Sequence, residues 1–395
     1  MLVNRRGLGI ASLALGTALL AGVGIGAVAD RTGGSNAGAT PSHHGRAAQV
    51  TVTTTPAPVR GKVPYSATLA VGLAGGRLLS ARVAGPFGPL PGAVRGTTWH
   101  ATGRLLPAST YTVAVRYVDS QGKTRSTRQQ VRTTDSPQHL TATISPGDGA
   151  TVGVGQPAIV NFDRPIPEAA KAAVVRGLTV YSTPKVEGAW HWYNDTELHY
   201  RPRVYWPAHT HIRVIADMRA VHLDAQTWGS GRHVSTYSVG DRHVSVADAT
   251  AHTLTVYENN HVIRTFPMSA GSAKYPTKSG IHIALEKSPE VIMDSETVGI
   301  PRKSKDGYYE KVQWDVRISN GGAFVHSAPW SVGAQGNSNV SHGCINLAPV
   351  NAEWFFDWSL KGDVVSVVNT GIDPVLGDEG MADWNLTWDE WRAPS

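Results

Sequence analysis

Apolar and polar residues alternate with a period of two over many short runs in the first half of the chain. The clearest run carries four apolar side chains at every second position: Tyr111, Val113, Val115 and Tyr117. The polar stretch 119–122 follows this run and reads as a turn. Alternation of this kind is typical of half-buried strands. The pattern therefore predicts two β-sandwiches of about a hundred residues each, over residues 48–136 and 137–238.

A third unit, residues 239–370, combines further strand patterns with one helical pattern. Apolar runs at 254–257 and 262–266 flank Asn259-Asn260 and predict a β-hairpin. Other strands are expected around 280–285, 291–293, 323–325 and 364–368. A short helix is expected over 351–360, with a buried side made of Trp354, Phe355 and Trp358.

The C-terminal segment, residues 371–395, is rich in tryptophan. Trp384, Trp388 and Trp391 are spaced four and three residues apart, which places them on one face of a helix. The segment is therefore predicted to be an amphipathic helix that docks onto a groove of the third unit.

The N-terminus indicates where the protein works. Arg5 and Arg6 precede an uncharged stretch that runs to residue 29, so residues 1–29 are either a cleaved export signal or an uncleaved membrane anchor. We favour the anchor, and both alternatives place the remainder outside the cytoplasm. Residues 30–47 are small and polar, which predicts a flexible tether.

Composition excludes several classes of protein. Gly and Pro are abundant, at 42 and 24 residues, and only 17% of residues are charged, which argues against coiled coils and helical bundles. The net charge of +6 suits a polyanionic surface, but there is no arginine-rich run, so no nucleic-acid partner is expected. His199, His209 and His211 have no acidic partner at useful spacing, so we expect no metal site there.

The single cysteine, Cys344, lies in the stretch Val340-Ser-His-Gly-Cys-Ile-Asn-Leu. One cysteine excludes an internal disulfide framework, a thiolate zinc cluster and a CxxC redox pair. A thiol nucleophile needs a base, which His342 or His326 could supply, and backbone N–H groups at Gly343 and Cys344 could bind an oxyanion. The residues alone leave three alternatives open: a nucleophile, a small buried apolar side chain and a zinc ligand.

The spacing of His326-Ser-Ala and Ser341-His-Gly-Cys-Ile-Asn resembles the signature of the YkuD-like L,D-transpeptidases. The whole chain is similar to the mycobacterial and actinobacterial members of that family. The resemblance implies a mainly β fold: two immunoglobulin-like sandwiches, then a β-rich catalytic domain with a Trp-rich C-terminal segment.

The resemblance also implies roles for individual residues. Cys344 matches the nucleophile and His326 its base, while the backbone carbonyl of Ser327 would orient the imidazole. His342 and Gly343 match the flanks of the nucleophile and would contribute backbone donors to the oxyanion hole. The expected substrate contacts are Tyr308 (or its neighbour Tyr309), Met293, Gly321, Gly322, Trp330 and Asn346. Gly321 stands where a serine is usual in the family. No metal and no cofactor are expected.

The implied reaction is acyl transfer between peptidoglycan stem peptides. Cys344 would attack a tetrapeptide stem, release the terminal D-alanine, and pass the acyl group to an amine of a second stem as a 3→3 cross-link. Carbapenem-type β-lactams would be covalent inhibitors. A carboxypeptidase that uses water, a non-catalytic wall-binding scaffold and a sortase-like ligase (with Arg317 as its nearest arginine) are the alternatives.

Overall fold

Strands dominate the computed structural model, which describes residues 49–373 and 381–393. The predicted mainly β fold, with two sandwiches and a β-rich third unit, is confirmed. The expected leader at 1–29 and tether at 30–47 lie outside the described residues. Within the described ranges, no helix combines the length and the apolar composition that a membrane span needs.

The first sandwich packs two four-stranded sheets, ordered β1-β2-β6-β5 and β4-β3-β7-β8, over one apolar core. Tyr111, Val113 and Val115 of the predicted alternating run point into that core. The strands are β1 (Gln49–Thr55), β2 (Thr68–Ala74), β3 (Gly76–Gly85), β4 (Gly88–Pro89), β5 (Gly92–Arg95), β6 (Thr98–Ala101), β7 (Thr110–Asp119) and β8 (Thr124–Arg132).

The second sandwich has sheets ordered β10-β12-β15-β14 and β11-β18-β16-β13, with a two-stranded parallel sheet of β9 and β17 beside them. Its elements are β9 (Gln138–Leu140), β10 (Ala142–Ser145), β11 (Thr151–Val152), β12 (Ala158–Phe162), α1 (Glu168–Arg176), β13 (Leu178–Thr183), β14 (Gly188–Asn194), β15 (Glu197–Pro202), β16 (His211–Asp217), β17 (Thr227–Gly229) and β18 (Arg232–Val239).

The third unit has two sheets, ordered β21-β20-β19-β27-β22 and β23-β24-β25-β26, with α2 packed on the second. The elements are β19 (His243–Asp248), β20 (Thr253–Glu258), β21 (His261–Pro267), β22 (Gly280–Ile283), β23 (Glu286–Asp294), β24 (Tyr309–Arg317), β25 (Phe324–Ser327), β26 (Ile345–Leu347), α2 (Pro349–Trp358), β27 (Val364–Val368) and α3 (Trp388–Arg392). Short 3₁₀ turns lie at Ser295–Val298, Pro329–Ser331 and Ala382–Asn385. The predicted hairpin at Asn259-Asn260 is confirmed.

The second sandwich and the third unit touch through their backbones. The Gly153 N–H donates to the Lys361 carbonyl at 2.8 Å, and the Gly155 N–H donates to the Gly362 carbonyl at 2.9 Å. A Cβ built at Gly153 would lie 2.2 Å from the Asp363 nitrogen, so only glycine permits this approach. One apolar cluster continues across the contact and includes Trp206 and Val364.

The tryptophan-rich segment docks onto the predicted third unit, where Asn385 accepts the Ile281 N–H at 2.7 Å and donates to the Ile281 carbonyl at 3.1 Å, and also onto the second sandwich, so the predicted groove is incomplete. Trp384 donates to the Gly155 carbonyl at 2.8 Å, and Trp391 donates to the Ala189 carbonyl at 3.0 Å. The single predicted helix is wrong, because Trp384 lies in a 3₁₀ turn while Trp388 begins α3.

A buried cation explains this docking site. The Arg201 guanidinium of β15 is 2% exposed and lies 4.7, 5.6 and 4.5 Å from the ring centres of Trp384, Trp388 and Trp391. It also donates to the Leu386 carbonyl at 2.8 Å. Desolvating a guanidinium is costly, and three aromatic faces with a carbonyl offset that cost.

The structure corrects the premise that His199 has no acidic partner. Both ring nitrogens meet carboxylates, Nδ1 on Asp383 at 2.9 Å and Nε2 on Glu197 at 2.6 Å. Burial opposes the charged imidazolium, but Asp383 and Glu197 outweigh it and raise the pKa of His199 to about 9. Among the described residues, no group of three or more His, Cys, Asp or Glu side chains could hold a metal ion.

We predict that Trp391→Ala lowers the free energy of unfolding by about 3–5 kcal/mol, because it opens a cavity and uncovers Arg201. Arg392→Ala is the matched control on the same helix. Its side chain is half-exposed, so its expected cost is within about 0.5 kcal/mol. Urea denaturation followed by far-UV circular dichroism measures both. Equal effects of the two substitutions would show that the tryptophan contacts add no stability.

Candidate active site

His326 lies in β25, a fully buried strand of the third unit. β25 pairs antiparallel with β24 and parallel with β26, and all four of its residues are buried. The His326 Nδ1–H donates to the carbonyl oxygen of Ser327 at 2.9 Å. That bond fixes the tautomer, so Nε2 carries the free lone pair and can accept a proton.

Cys344 lies in a loop that the Ser341 hydroxyl holds together. Ser341 Oγ donates to the Cys344 carbonyl at 2.6 Å and accepts the Gly343 N–H at 3.1 Å. Gly343 has a φ of +123°, which a residue with a Cβ rarely adopts. The expected oxyanion donor at Gly343 is therefore engaged with Ser341 in this state.

The expected site residues gather around Cys344, where three cavities meet. The first, of about 320 Å³, contains His326, and the second, of about 430 Å³, contains Gly321 and Gly322. A third, of about 140 Å³, contains Gly343. Of the other expected residues, Trp330 and Asn346 line the first cavity, Met293 the first two, His342 the first and third, and Tyr308 all three.

A lid formed by residues 295–308 covers the site. The pair of candidate tyrosines separates cleanly: Tyr308 faces Cys344 in the cavities, while Tyr309 is 59% exposed and its ring packs against Arg302. Two ion pairs fasten the lid to its base, from Arg302 to Asp294 and from Lys274 to Asp306. His342 packs against the Tyr308 ring from the catalytic loop, at 5.0 Å between ring centres.

The thiol and the imidazole are both neutral at pH 7. Burial raises the pKa of Cys344 to about 11. Burial also lowers the pKa of His326 to about 4, although its bond to Ser327 favours the charged form. The ground state is therefore a thiol and a neutral imidazole that line one cavity, so an attack by the sulfur would require its proton to move at the same time.

Sequence reasoning missed three groups at this site. Ser341 was part of the quoted motif, and its position two residues before a glycine was a signal for a loop-bracing hydroxyl. The lid ion pair Lys274–Asp306 joins residues 32 apart in sequence, which no local pattern reveals. Asp315 is a buried carboxyl on β24, a strand that the sequence pattern did not predict.

Comparison with protein families gives two matches along this chain. A family described as a bacterial Ig domain matches residues 60–222, and the L,D-transpeptidase catalytic domain (YkuD) matches residues 242–367.

Curated relatives and a solved structure agree with those matches. L,D-transpeptidase 2 of Mycobacterium tuberculosis (strain CDC 1551 / Oshkosh) is 40% identical over 299 residues, which cover 75% of this chain and 72% of the relative. L,D-transpeptidase 5 of strain ATCC 25618 / H37Rv is 36% identical over 73% of this chain and 63% of its own length. An L,D-transpeptidase solved in complex with imipenem is 38% identical, with a TM-score of 0.51, and covers 58% of this chain and 99% of that one.

We predict that alkylation of Cys344 by iodoacetamide accelerates by about tenfold for each pH unit from pH 8 to pH 10, because the thiolate is scarce below its pKa. Mass spectrometry reads the adduct without ambiguity, since the chain has one cysteine. His326→Gln is the matched control and should follow the same curve, because a neutral imidazole does not stabilise a thiolate. A rate that levels off below pH 8 would instead show a thiolate–imidazolium pair.

Proposed function

This chain belongs to the L,D-transpeptidase family, and from that premise we propose that it forms 3→3 cross-links between peptidoglycan stem peptides through a thioester on Cys344. The observation that carries the proposal is the convergence of several cavities on one thiol, one of which contains a histidine with a fixed tautomer. An acyl transferase must receive a donor and an acceptor at the same atom, and this site has room for both.

The first step forms the thioester. His326 Nε2 takes the proton of Cys344 Sγ while the sulfur attacks the carbonyl carbon of the third residue of a tetrapeptide stem. The negative charge moves to the carbonyl oxygen, where the backbone N–H of Cys344 and a released Gly343 N–H are the proposed donors. The C–N bond then breaks, and His326 returns the proton to the amine of the departing D-alanine.

The second step resolves the thioester. The side-chain amine of a second stem attacks the acyl carbon, its proton passes to His326, and the C–S bond breaks to restore the Cys344 thiol. We assign the donor to the cavity that contains Gly321 and Gly322, and the acceptor to the cavity that contains His326 and Trp330. Met293 and Tyr308 line both cavities and would hold the acyl group between them.

Exclusion of water decides between transfer and hydrolysis. The same residues would make a carboxypeptidase if water reached the thioester before the amine. Two ion pairs fasten the lid, at Arg302 and at Asp306, and Tyr308 lines the same cavity as Cys344 on that side. These contacts favour the transpeptidase.

Covalent inhibition follows from the same chemistry. A β-lactam carbonyl would be attacked by Cys344 in place of the donor, and ring opening would leave no leaving group to depart. The imipenem found in the related structure makes carbapenems the natural inhibitors to test.

We place the reaction outside the cytoplasm, because peptidoglycan stems are cross-linked there. Residues 1–29 are proposed as the export signal or anchor, and 30–47 as the tether. The proposed sandwich boundaries are 48–136 and 137–238, followed by a catalytic domain at 239–370 and the docking segment at 371–395.

The test incubates the detergent-solubilised full chain with purified disaccharide-tetrapeptide and analyses the products by mass spectrometry. We expect dimers that have lost one D-alanine. Cys344→Ala should form none, and His326→Gln should form them about 10²–10⁴-fold more slowly, as expected for loss of a positioned base. His261→Gln, on an exposed edge strand, is the matched histidine control.

Each other outcome identifies an alternative. Tripeptide monomers without dimers would assign the chain to the carboxypeptidases. Dimer formation by Cys344→Ala would refute the thioester mechanism. Absence of both products, together with absence of an imipenem adduct on Cys344, would indicate a non-catalytic wall protein.

A further inference from the structure

Asp315 is a buried carboxyl group that the mechanism above does not use. Its side chain is 1% exposed, and neither carboxylate oxygen has a hydrogen-bond partner among the described residues. An unpaired buried carboxylate is costly, so a fold normally pairs it or replaces it. A group retained at such cost, next to a reaction centre, calls for a functional explanation.

The backbone of β24 turns Asp315 toward the catalytic side of the sheet. Trp314 has a φ of +58°, and this irregularity places both Asp315 and Val316 in buried positions. Val316 pairs with Val325, and both belong to the core cluster beneath α2. Because side chains alternate along a strand, the preceding Asp315 and the following His326 share the opposite face.

The strand register places Asp315, His326 and Asn346 in a row across three neighbouring strands. Continuing the antiparallel pairing by one residue brings Asp315 level with His326, and the parallel pairing sets Asn346 on the other side of His326. Residues opposite each other on neighbouring strands have Cβ atoms about 5 Å apart. Asp315 is also close enough to Cys344 to act on its charge.

We propose that Asp315 is a positioning residue that, when ionised, stabilises the His326 imidazolium formed as Cys344 attacks. This inference rests on the proposed function, because it concerns the same proton transfer. Asp315 supplies from the neighbouring strand the negative charge that the neutral carbonyl of Ser327 does not.

The sign of the effect follows from where charge moves. In the free enzyme an ionised Asp315 opposes formation of the Cys344 thiolate. In the transition state the negative charge has left sulfur for the substrate oxygen, while the positive charge stays on His326. The ionised carboxylate therefore slows simple ionisation of the thiol and favours attack on a carbonyl.

The charged groups around Asp315 do not mask the change in its charge with pH. His326 faces it from β25 and Cys344 from the catalytic loop. On its own strand Arg317 is held by Glu286 of β23, and the β23 residue paired with Asp315 is the uncharged Ser288. Burial raises the pKa of Asp315 to about 7, so the carboxyl changes charge in the range where the enzyme is assayed.

The experiment compares two reactions of Cys344 in the detergent-solubilised full chain, from pH 5.5 to pH 9. Acylation by imipenem is followed by loss of β-lactam absorbance, and alkylation by iodoacetamide is followed by mass. In the wild type we expect acylation to rise by about tenfold through a step near pH 7, equivalent to one pKa unit on His326.

Asp315→Asn should remove that step and hold acylation at its low-pH rate, while alkylation above pH 7 becomes several-fold faster. Asp315→Glu should restore the step, and Glu353→Gln, which removes an exposed carboxylate from α2, should leave both profiles as in the wild type. General damage to the site would slow acylation and alkylation together. Slower acylation combined with faster alkylation therefore identifies the charge effect.

The outcomes separate this inference from the proposed function. A wild-type chain that forms neither dimers, nor tripeptide monomers, nor an imipenem adduct refutes the proposed function, and the alkylation comparison still decides whether Asp315 acts on the site. Identical profiles for the wild type and Asp315→Asn would overturn the role of Asp315. If Asp315→Asn fails to fold, as judged by its thermal midpoint, Asp315→Ala carries the same comparison.

Discussion

Desolvation of His326 and Cys344 at one face of the β24–β25–β26 sheet is the constraint on which the site depends. That face carries His326, and the same enclosure that holds its ring also keeps Cys344 protonated. A thiol kept neutral is a poor target for oxidants and for stray electrophiles. Under the proposed mechanism, its reactivity appears only when a substrate carbonyl and the free Nε2 of His326 meet at the sulfur.

Two buried charge centres in this chain illustrate opposite uses of ionisable groups. Arg201 and His199 are enclosed among aromatic, carbonyl or carboxylate partners, although Arg201 Nε has no hydrogen-bond partner among the described residues. They hold the tail against the second sandwich. Asp315 is enclosed without such partners, and that difference separates a group that stabilises the fold from one that we assign to the reaction.

Local patterns predicted the elements that depend on local chemistry. Asn259 and Asn260 adopt φ values of 48° and 72°, which asparagine tolerates better than most residues, so the hairpin turn could be predicted from these two residues. The strand at 364–368 was predicted with its observed bounds, because a run of valines favours a buried strand.

Contacts distant in sequence could not be predicted in the same way. The three tryptophans of the tail fit a helical period, but their partner Arg201 lies about half the chain away, and the segment folds as a 3₁₀ turn followed by α3. The motif around Cys344 indicated which residues gather at the site. It carried no information about Asp315, whose inward position depends on the unusual φ of Trp314.

The backbone contacts of Gly153 and Gly155 with the 361–363 turn join the second sandwich to the catalytic unit. These two parts match different sequence families, but the contacts make them one cooperative unit. Backbone hydrogen bonds and a shared apolar cluster cross that contact, so neither side keeps its native surface once the other unfolds. The second sandwich and the catalytic unit are therefore expected to melt in a single cooperative transition. A catalytic fragment that began at residue 239 would expose the side of Val364 and Ile283 that the sandwich now covers.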